Sequence, residues 1–255
     1  MSRTARTILG LVLGCALALS VSVPVHGGGF QSDDATTTPL DHFEIDIANL
    51  YSHLKGETSG AVTSLEVDYG ATKDLELHFY APLAFDRKSG ATGTRYGYGD
   101  TELGFKYRFV DQGSDGWRPA IATFPLIELP TGSKQRGLGA GYAQAFLPIW
   151  LEWDFGSWTV FGGPDYAVNP GTGNKNYWEV SLAVGYKVSD RLWLGSEIFQ
   201  QTAVGYGKKP STGFNIGGTY DFTEHHHLVL TVGRGLQNAT ETNQFTSYLA
   251  YELTF

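Results

Sequence analysis

The sequence contains almost no cysteine and few charged residues. Of its 255 residues one is cysteine, Cys15, and 17% are charged. A single cysteine cannot form a disulfide within the chain, so the fold is not held together by a disulfide framework. The mean hydropathy of −0.17 is too low for a bundle of membrane-spanning helices, whose long apolar segments would raise it.

Helical periodicity is missing as well. From residue 41 onward no window keeps apolar residues at positions i, i+3, i+4 and i+7 for three turns, so we predict no substantial helix there. The chain has instead 33 glycines and 14% aromatic residues. This composition, with few charges, is typical of proteins that have many strands, tight turns and aromatic rings at a membrane interface.

The amino terminus has the features of an export signal. Arg3 and Arg6 precede an apolar run at residues 8–23, which is short for a membrane span and has no basic flank after it. We therefore predict that residues 1–27 form a cleaved signal peptide. Residues 12–15 weakly resemble a lipoprotein box, but the apolar run continues past Cys15, which favours ordinary cleavage over lipid attachment.

The remaining chain is predicted to be an all-β protein, a single antiparallel transmembrane β-barrel of about twelve strands at residues 41–255. Residues 28–40 are polar and are expected to form a flexible periplasmic lead-in or a partial plug. Most strands have about 11–13 residues, which suits tilted strands that cross a membrane. The predicted strands lie near residues 41–51, 60–70, 74–85, 98–110, 117–129, 142–154, 157–168, 176–188, 191–202, 211–222, 226–237 and 244–255.

The connections between these strands alternate in length. Outer-membrane barrels have short periplasmic turns and longer external loops. An even number of strands puts the amino and carboxyl termini of the barrel on the same, periplasmic side. The connections after odd-numbered strands are mostly the longer ones, as this topology requires. We therefore predict a Gram-negative outer-membrane barrel.

The last predicted strand shows period-two alternation up to its final residue. Phe245, Leu249, Tyr251, Leu253 and Phe255 share one face, and polar or small residues occupy the other. We expect this strand to pair with the first one and close the barrel. Tyr251, Leu253 and Phe255 are predicted to form the signal that the barrel-assembly machinery reads.

Alternation also assigns the two faces of the wall, with charges facing the lumen and apolar side chains facing lipid. The inward charges are predicted to form a periplasmic belt of ion pairs that narrows the lumen. Its members are Glu44, Asp46, Glu66, Asp68, Glu76, Lys106, Arg108, Arg118, Glu152, Lys187 and Arg191. The upper lumen is expected to be more neutral, and its aromatic residues would either bind a small guest or fill space. The candidate lumen-lining residues are Tyr80, Phe124, Trp150, Phe161 and Tyr177.

Charge also indicates the partners. The long loops are rich in lysine and arginine, which would meet lipopolysaccharide phosphates favourably or serve only solubility. The formal net charge of −8 speaks against nucleic-acid binding. Outer-membrane lipids, lipopolysaccharide, the assembly machinery and a small hydrophobic or aromatic solute are the expected partners.

No arrangement of residues predicts an enzyme. Ser52 and His53 are adjacent, so in a strand they point to opposite faces, and the positions two residues from His78 hold no serine. The run of histidines at residues 225–227 could chelate a metal, but its place in a turn favours a polar cluster. We predict no catalytic residue, no metal and no cofactor, while an enzyme assembled across strands stays an alternative.

One family resemblance follows from these residues. Leu129, Pro130, Thr131, Gly132 and Ser133 close the fifth strand, Gly185 and Tyr186 lie near a strand end, and residues 248–255 form the terminal strand. This combination resembles the outer-membrane transporters grouped under the name MetA-pathway of phenol degradation. The resemblance implies a β-barrel that passes aromatic or other hydrophobic compounds inward, and we predict that they pass by diffusion. The alternatives are a structural or adhesive barrel with a blocked lumen and an outer-membrane lipid-modifying enzyme.

Overall fold

The computed structural model describes residues 29–255. The predicted signal peptide and Cys15 lie outside the described residues. Within 29–255, no helix is long and apolar enough to cross a membrane.

The described chain forms a closed antiparallel β-barrel, as predicted. Fourteen strands lie in one sheet, and two pairs of them, β4 with β5 and β6 with β7, each make one crossing of the wall, which leaves twelve crossings. The strands are β1 (Phe43–Leu54), β2 (Glu57–Thr72), β3 (Leu75–Lys88), β4 (Arg95–Tyr98), β5 (Thr101–Val110), β6 (Ala120–Thr123), β7 (Leu126–Leu129), β8 (Gln144–Phe155), β9 (Trp158–Val168), β10 (Tyr177–Ser189), β11 (Leu192–Gln201), β12 (Ser211–Asp221), β13 (His226–Gln237) and β14 (Phe245–Thr254).

The first and last strands close the barrel. β1 pairs with β14 over ten residue pairs, from Glu44 opposite Thr254 to His53 opposite Phe245. At the rim, the Phe43 and Phe255 backbones exchange N–H···O bonds of 2.7 and 3.0 Å, and the centroids of their rings lie 5.6 Å apart. The prediction that the terminal strand completes the wall is therefore confirmed.

The fourth and fifth crossings of the wall are each divided in two, and the fourth begins at Arg95 rather than near residue 98 as predicted. The first division is at Gly99 and Asp100 and the second at Phe124 and Pro125. Proline has no N–H to donate to a sheet, so Pro125 explains the second division directly.

Proline interrupts a whole sector of the wall. Pro82 in β3, Pro125 between β6 and β7, Pro148 in β8 and Pro164 in β9 lie in nearly successive crossings. Side chains partly replace the hydrogen bonds that are missing between these strands. For example, the Leu147 N–H donates to the Asp165 carboxylate at 3.0 Å. From β11 to β12, by contrast, ten consecutive residue pairs continue without a shift. We call the crossings from β3 to β9 the proline sector.

The two faces of the wall differ as a membrane barrel requires. In β10, Trp178, Val180 and Leu182 are about half exposed on the outside. Glu179 and Ser181 alternate with them and are buried inside. Apolar side chains outside and carboxylates inside are the reverse of a soluble barrel, because lipid rather than water covers the outer surface.

The ends of the barrel are distinguished by their connections. The turns at residues 73–74, 156–157 and 190–191 are short, and β1 begins and β14 ends on the same side. We call this the short-turn end, which outer-membrane barrels direct to the periplasm. The opposite, long-loop end carries a short α1 helix (Ala239–Thr242) and a 3-10 helix (Lys134–Arg136).

Candidate functional site

Residues 29–40, the lumen segment, run inside the barrel from the short-turn end. Leu40 forms a bridge to Gly70 at the rim, where the segment enters. Farther in, Phe30 is buried, and its ring lies 6.2 Å from Phe161 and 6.1 Å from Trp193 between centroids. The segment therefore fills part of the lumen.

Three buried glutamates on distant strands hold the backbone of the lumen segment. Glu197 of β11 accepts the N–H groups of Gln31 and Ser32 at 2.9 and 2.7 Å. Glu152 of β8 accepts the Ala35 N–H at 2.9 Å. Glu76 of β3 accepts the Thr38 N–H at 2.7 Å. Hydrogen bonds to ionised acceptors are stronger than those between neutral groups, so these contacts fix the segment across the lumen.

Lys106 provides the matching positive charge. Its Nζ lies 2.6 Å from Oδ2 of Asp33 in the segment and 3.8 Å from Oε1 of Glu76 in the wall. It also donates to the Thr36 carbonyl at 3.1 Å and lies 5.2 Å from the centroid of the Phe124 ring. One buried lysine thus joins the segment to β5.

A cavity of about 380 Å³, the lower chamber, lies beside the lumen segment near the short-turn end. Among residues 29–255, eight acidic side chains and one basic side chain, Lys106, line it. The acids are Asp33, Asp34, Glu44, Glu66, Asp68, Glu76, Glu152 and Glu252. The chamber therefore has a large excess of carboxylate groups.

The predicted charge belt is only partly assembled. Asp46, Glu66, Asp68, Glu76, Lys106 and Glu152 are buried in the lumen, and Glu44 and Arg108 are half-buried. Arg118, Lys187 and Arg191 do not join them, because all three are exposed. Lys187 pairs instead with Asp190 in the adjoining turn, at 3.5 Å between Nζ and Oδ1. The belt is thus far more acidic than the balanced network expected from the sequence.

The five predicted lumen-lining aromatic residues do not share one chamber. Phe124, Trp150 and Tyr177 are buried together with Phe146 and Leu126 on the wall from β6 to β10. Phe161 packs instead with Phe30 of the lumen segment and Ala183. Tyr80 lines a separate cavity toward the long-loop end. Three of the five therefore fill space against one another.

That separate cavity, the upper chamber, has a volume of about 110 Å³. Residues 130–143, the mouth loop, cover it by placing Leu138 and Ala140 in its lining. Asp100 holds the loop, since its carboxylate accepts the Gly132 and Ala140 N–H groups at 2.8 and 2.6 Å. The rest of the lining is Leu50, Ser52, Ser59, Gly60, Ala61, Tyr80, Pro82, Ala84, Phe85, Gly99, Glu102, Glu128, Gly137 and Gly139. The upper and lower chambers share no lining residue.

The expectation of a more neutral upper lumen missed several acids. Glu102 and Glu128 line the upper chamber, and Asp165, Glu179 and Glu197 are buried at other positions inside the barrel. The alternation of side chains along the strands places these acids on the inner face of the wall. It does not give their height along the barrel axis, so it cannot distinguish the upper from the lower lumen.

The histidines do not form a serine–histidine pair in the contacts described. His53 Nδ1 lies 2.9 Å from the Thr58 hydroxyl, and His78 Nδ1 lies 2.7 Å from Asp68 Oδ1. His227 Nδ1 lies 2.7 Å from Asp221 Oδ1, and His226 Nδ1 contacts the Tyr251 hydroxyl. His226 and His227 thus lie at the short-turn end of the pairing between β13 and β14.

The residues of the predicted assembly signal lie at the same end. Tyr251 and Phe255 are exposed on the outside of the barrel, and Leu253 is half-buried opposite His226. They form part of an aromatic surface at the short-turn end together with Phe43.

The sequence of residues 25–253 matches the family described as "Putative MetA-pathway of phenol degradation". The chain belongs to this family. The resemblance based on the fifth and last predicted strands is therefore confirmed. None of the curated protein sequences matches the chain.

Solved outer-membrane proteins share the fold. The COG4313 outer membrane channel from Pseudomonas putida F1 is 20% identical, with a TM-score of 0.68 over 87% of this chain and 98% of that one. The KdgM porin is 10% identical, with a TM-score of 0.54 over 83% of this chain and 99% of that one. The translocator domain of the autotransporter NalP from Neisseria meningitidis is 10% identical, with a TM-score of 0.55 over 87% and 90%. These likenesses establish the outer-membrane barrel architecture.

Proposed function

We propose that this barrel takes up small hydrophobic or aromatic compounds by passive diffusion across a Gram-negative outer membrane. The observation that carries the proposal is the upper chamber, a small cavity next to the long-loop end that the mouth loop partly covers. Apolar side chains such as Leu50, Phe85 and Leu138 contribute to its lining. The family description and the channel fold support the same reading.

The size of the upper chamber suits a single aromatic ring. A cavity of about 150 Å³ lined by apolar side chains is known to bind benzene, and the upper chamber has about 110 Å³. A guest gains roughly 25 cal/mol for each Å² of apolar surface that it buries. Tyr80, Glu102 and Glu128 add polar groups to this lining, which could orient a hydroxyl on the guest.

Passage beyond the upper chamber requires movement of the lumen segment. The segment fills the lumen beside the lower chamber and is held by Glu76, Glu152 and Glu197. In this proposal the segment is a plug that controls access to the periplasm. The mouth loop controls access from outside.

Two contacts with the cell envelope belong to the same proposal. Lys55, Lys208 and Lys209 lie at the long-loop end, where lipopolysaccharide phosphates would be within reach of them. Tyr251, Leu253 and Phe255 supply the aromatic and apolar edge for the assembly machinery. Replacement of Phe255 by lysine should lower the amount of folded barrel in outer-membrane fractions.

Uptake of toluene and phenol by a deletion strain tests the proposed function. The strain is complemented with the wild-type protein, with Ala84→Phe or with Ala145→Phe. Ala84 lines the upper chamber, so a phenyl group there should fill it and slow uptake several-fold. Ala145 lies on the outward face of β8 and is the matched control for added bulk. Folding of each variant is checked by heat-modifiable migration in gels.

The alternative is a structural or adhesive barrel with a blocked lumen. It is favoured by the aromatic cluster of Phe124, Phe146, Trp150 and Tyr177, which occupies space inside the wall from β6 to β10. Equal uptake with and without the wild-type protein would reject the transport proposal and leave this alternative.

A further inference from the structure

A histidine and two carboxylates converge inside the barrel on neighbouring strands. His78 of β3 lies opposite Asp68 of β2, and Glu66 is two residues from Asp68 on the same inner face. One ligand atom from each of the three residues lies within 4.8 Å of the other two. All three side chains are buried.

The spacing of these atoms suits a metal ion. His78 Nδ1 lies 2.7 Å from Asp68 Oδ1 and 3.8 Å from Glu66 Oε1. Ligand atoms that are about 2.0–2.1 Å from a tetrahedral ion lie roughly 3.3 Å from one another. The two observed distances lie on either side of this value, so small side-chain movements would place all three atoms around one ion.

A third carboxylate lies next to the cluster and has an unused oxygen. Asp46 of β1 lies directly opposite Glu66 and is 5% exposed. Its Oδ2 accepts a hydrogen bond of 3.0 Å from the Tyr248 hydroxyl, but its buried Oδ1 has no hydrogen-bond partner within residues 29–255. A buried carboxylate oxygen without a partner is costly, so Asp46 offers a free acceptor that a cation would satisfy.

The surrounding charges leave the cluster short of positive charge. Lys106, the one basic residue that lines the lower chamber, is already paired with Asp33 and Glu76. A protonated His78 would supply one positive charge against the three carboxylates Asp46, Glu66 and Asp68. A divalent cation would neutralise more of this charge and would use the free Asp46 oxygen.

We propose that Asp46, Glu66, Asp68 and His78 bind a divalent first-row transition ion such as zinc. One imidazole with carboxylates, and no sulfur ligand, is a donor set that suits such an ion. The ion joins β1, β2 and β3 at the acidic side of the lower chamber. Tyr248 orients Asp46, and the edge-on ring of Phe124, 5.1 Å from the His78 ring centroid, restricts the imidazole.

Titration of the purified, full-length barrel in detergent tests the site. The protein is first stripped with EDTA and then titrated with Zn²⁺ by calorimetry and with Co²⁺ by visible absorption. The wild type should bind one Zn²⁺ per barrel and should give the intense absorption of four-coordinate Co²⁺. His78→Gln and Asp46→Asn should each weaken binding at least tenfold.

His227→Gln is the matched control. His227 also lies 2.7 Å from one carboxylate, Asp221, and 3.9 Å from another, Glu252, but at the barrel rim. This variant should bind Zn²⁺ as the wild type does. If His78→Gln fails to fold, Asp46→Asn decides the question, because asparagine preserves the shape of the side chain.

Three results would overturn the proposal. The first is a wild type that binds no Zn²⁺, and the second is a folded Asp46→Asn or His78→Gln variant with wild-type affinity. The third is loss of binding in His227→Gln, which would place the ion at the rim.

Discussion

The lower and upper chambers are each covered by a chain segment whose backbone N–H groups donate to buried carboxylates. They differ in how widely their anchors are distributed over the strands of the barrel. The lumen segment is held by Glu76, Glu152 and Glu197, on three separate strands, together with Lys106. The mouth loop is held mainly at one crossing, where Asp100 accepts two of its N–H groups, Thr131 donates to the Gly99 carbonyl at 2.8 Å and Arg136 donates to the Tyr96 carbonyl at 2.7 Å.

This difference suggests an order of opening. Release of the mouth loop needs loss of contacts that lie mainly on one crossing, β4 with β5, whereas release of the lumen segment needs loss of contacts around most of the barrel. We infer that the upper chamber exchanges with the exterior more often than the lower chamber connects to the periplasm. The following predictions test this inference.

Removal of the lumen segment should have the largest effect. Deletion of residues 29–39 takes away the chain that fills the lumen beside the lower chamber, so single-channel conductance in planar bilayers should rise several-fold. Deletion of residues 134–136 in the mouth loop is the comparison and should change conductance less. Equal conductance of the segment deletion and the wild type would show that another constriction limits flow.

Lys106→Met should strongly destabilise the lower half of the barrel. The variant leaves Asp33 and Glu76 buried without their cation, which typically costs about 3–5 kcal/mol. Unfolding by urea in detergent measures the loss. Lys187→Met removes an exposed pair with Asp190 and should cost no more than about 1 kcal/mol. Similar losses for the two variants would contradict the central place given to Lys106.

Glu197→Gln should loosen the inner end of the lumen segment. The glutamine NH₂ group would face a donor, Gln31 N–H or Ser32 N–H, where an oxygen now accepts. A loss of about 1.5–3 kcal/mol is expected for a hydrogen bond to a charged group. Hydrogen exchange of residues 30–35 should therefore accelerate at least tenfold.

Glu179→Gln is the control for that experiment. Glu179 is also a buried acid in the wall, and it pairs with Gln201 of the neighbouring strand at 3.0 Å. Its replacement should leave exchange in the lumen segment unchanged. Equal acceleration in both variants would indicate a general loosening of the barrel.

Asp100→Asn should have the smallest effect, limited to the mouth loop. Asparagine has one oxygen where Asp100 uses two, so either Gly132 or Ala140 loses its acceptor. Loss of this hydrogen bond should cost about 1–2 kcal/mol, so the open form of the loop becomes roughly tenfold more populated. Trypsin cleavage at Lys134 and Arg136 should accelerate accordingly. Glu102→Gln, in the same chamber, should not change cleavage.

The wall could be predicted from the sequence because its pattern is local. Period-two alternation in strands such as β10 and β14 identifies both the strand and the face directed to lipid. The divisions of the fourth and fifth crossings near Gly99 and Pro125 are harder to predict from the sequence. They depend on how neighbouring strands compensate for missing ladder bonds, although Pro125 itself was a visible indication.

The interior could be predicted only in part. The alternation of side chains identifies Glu76, Lys106 and Glu152 as inward residues. It does not predict that residues 31–38 form hydrogen bonds with them inside the lumen. The same alternation predicts that Arg118 and Arg191 belong to the charge belt. Both are exposed at the barrel end, because alternation carries no information on the height of a residue along its strand. The cluster of Glu66, Asp68 and His78 combines residues from two strands, and no spacing along the chain reveals it.

The proline sector has a mechanical consequence. A barrel resists ovalisation through its interstrand hydrogen bonds, and Pro82, Pro125, Pro148 and Pro164 remove four donors from one side of the ring. The opposite side, from β10 to β14, keeps long continuous ladders. Thickness changes and lateral pressure in the surrounding bilayer should therefore deform the circumference unevenly, so that the barrel flexes along a preferred axis.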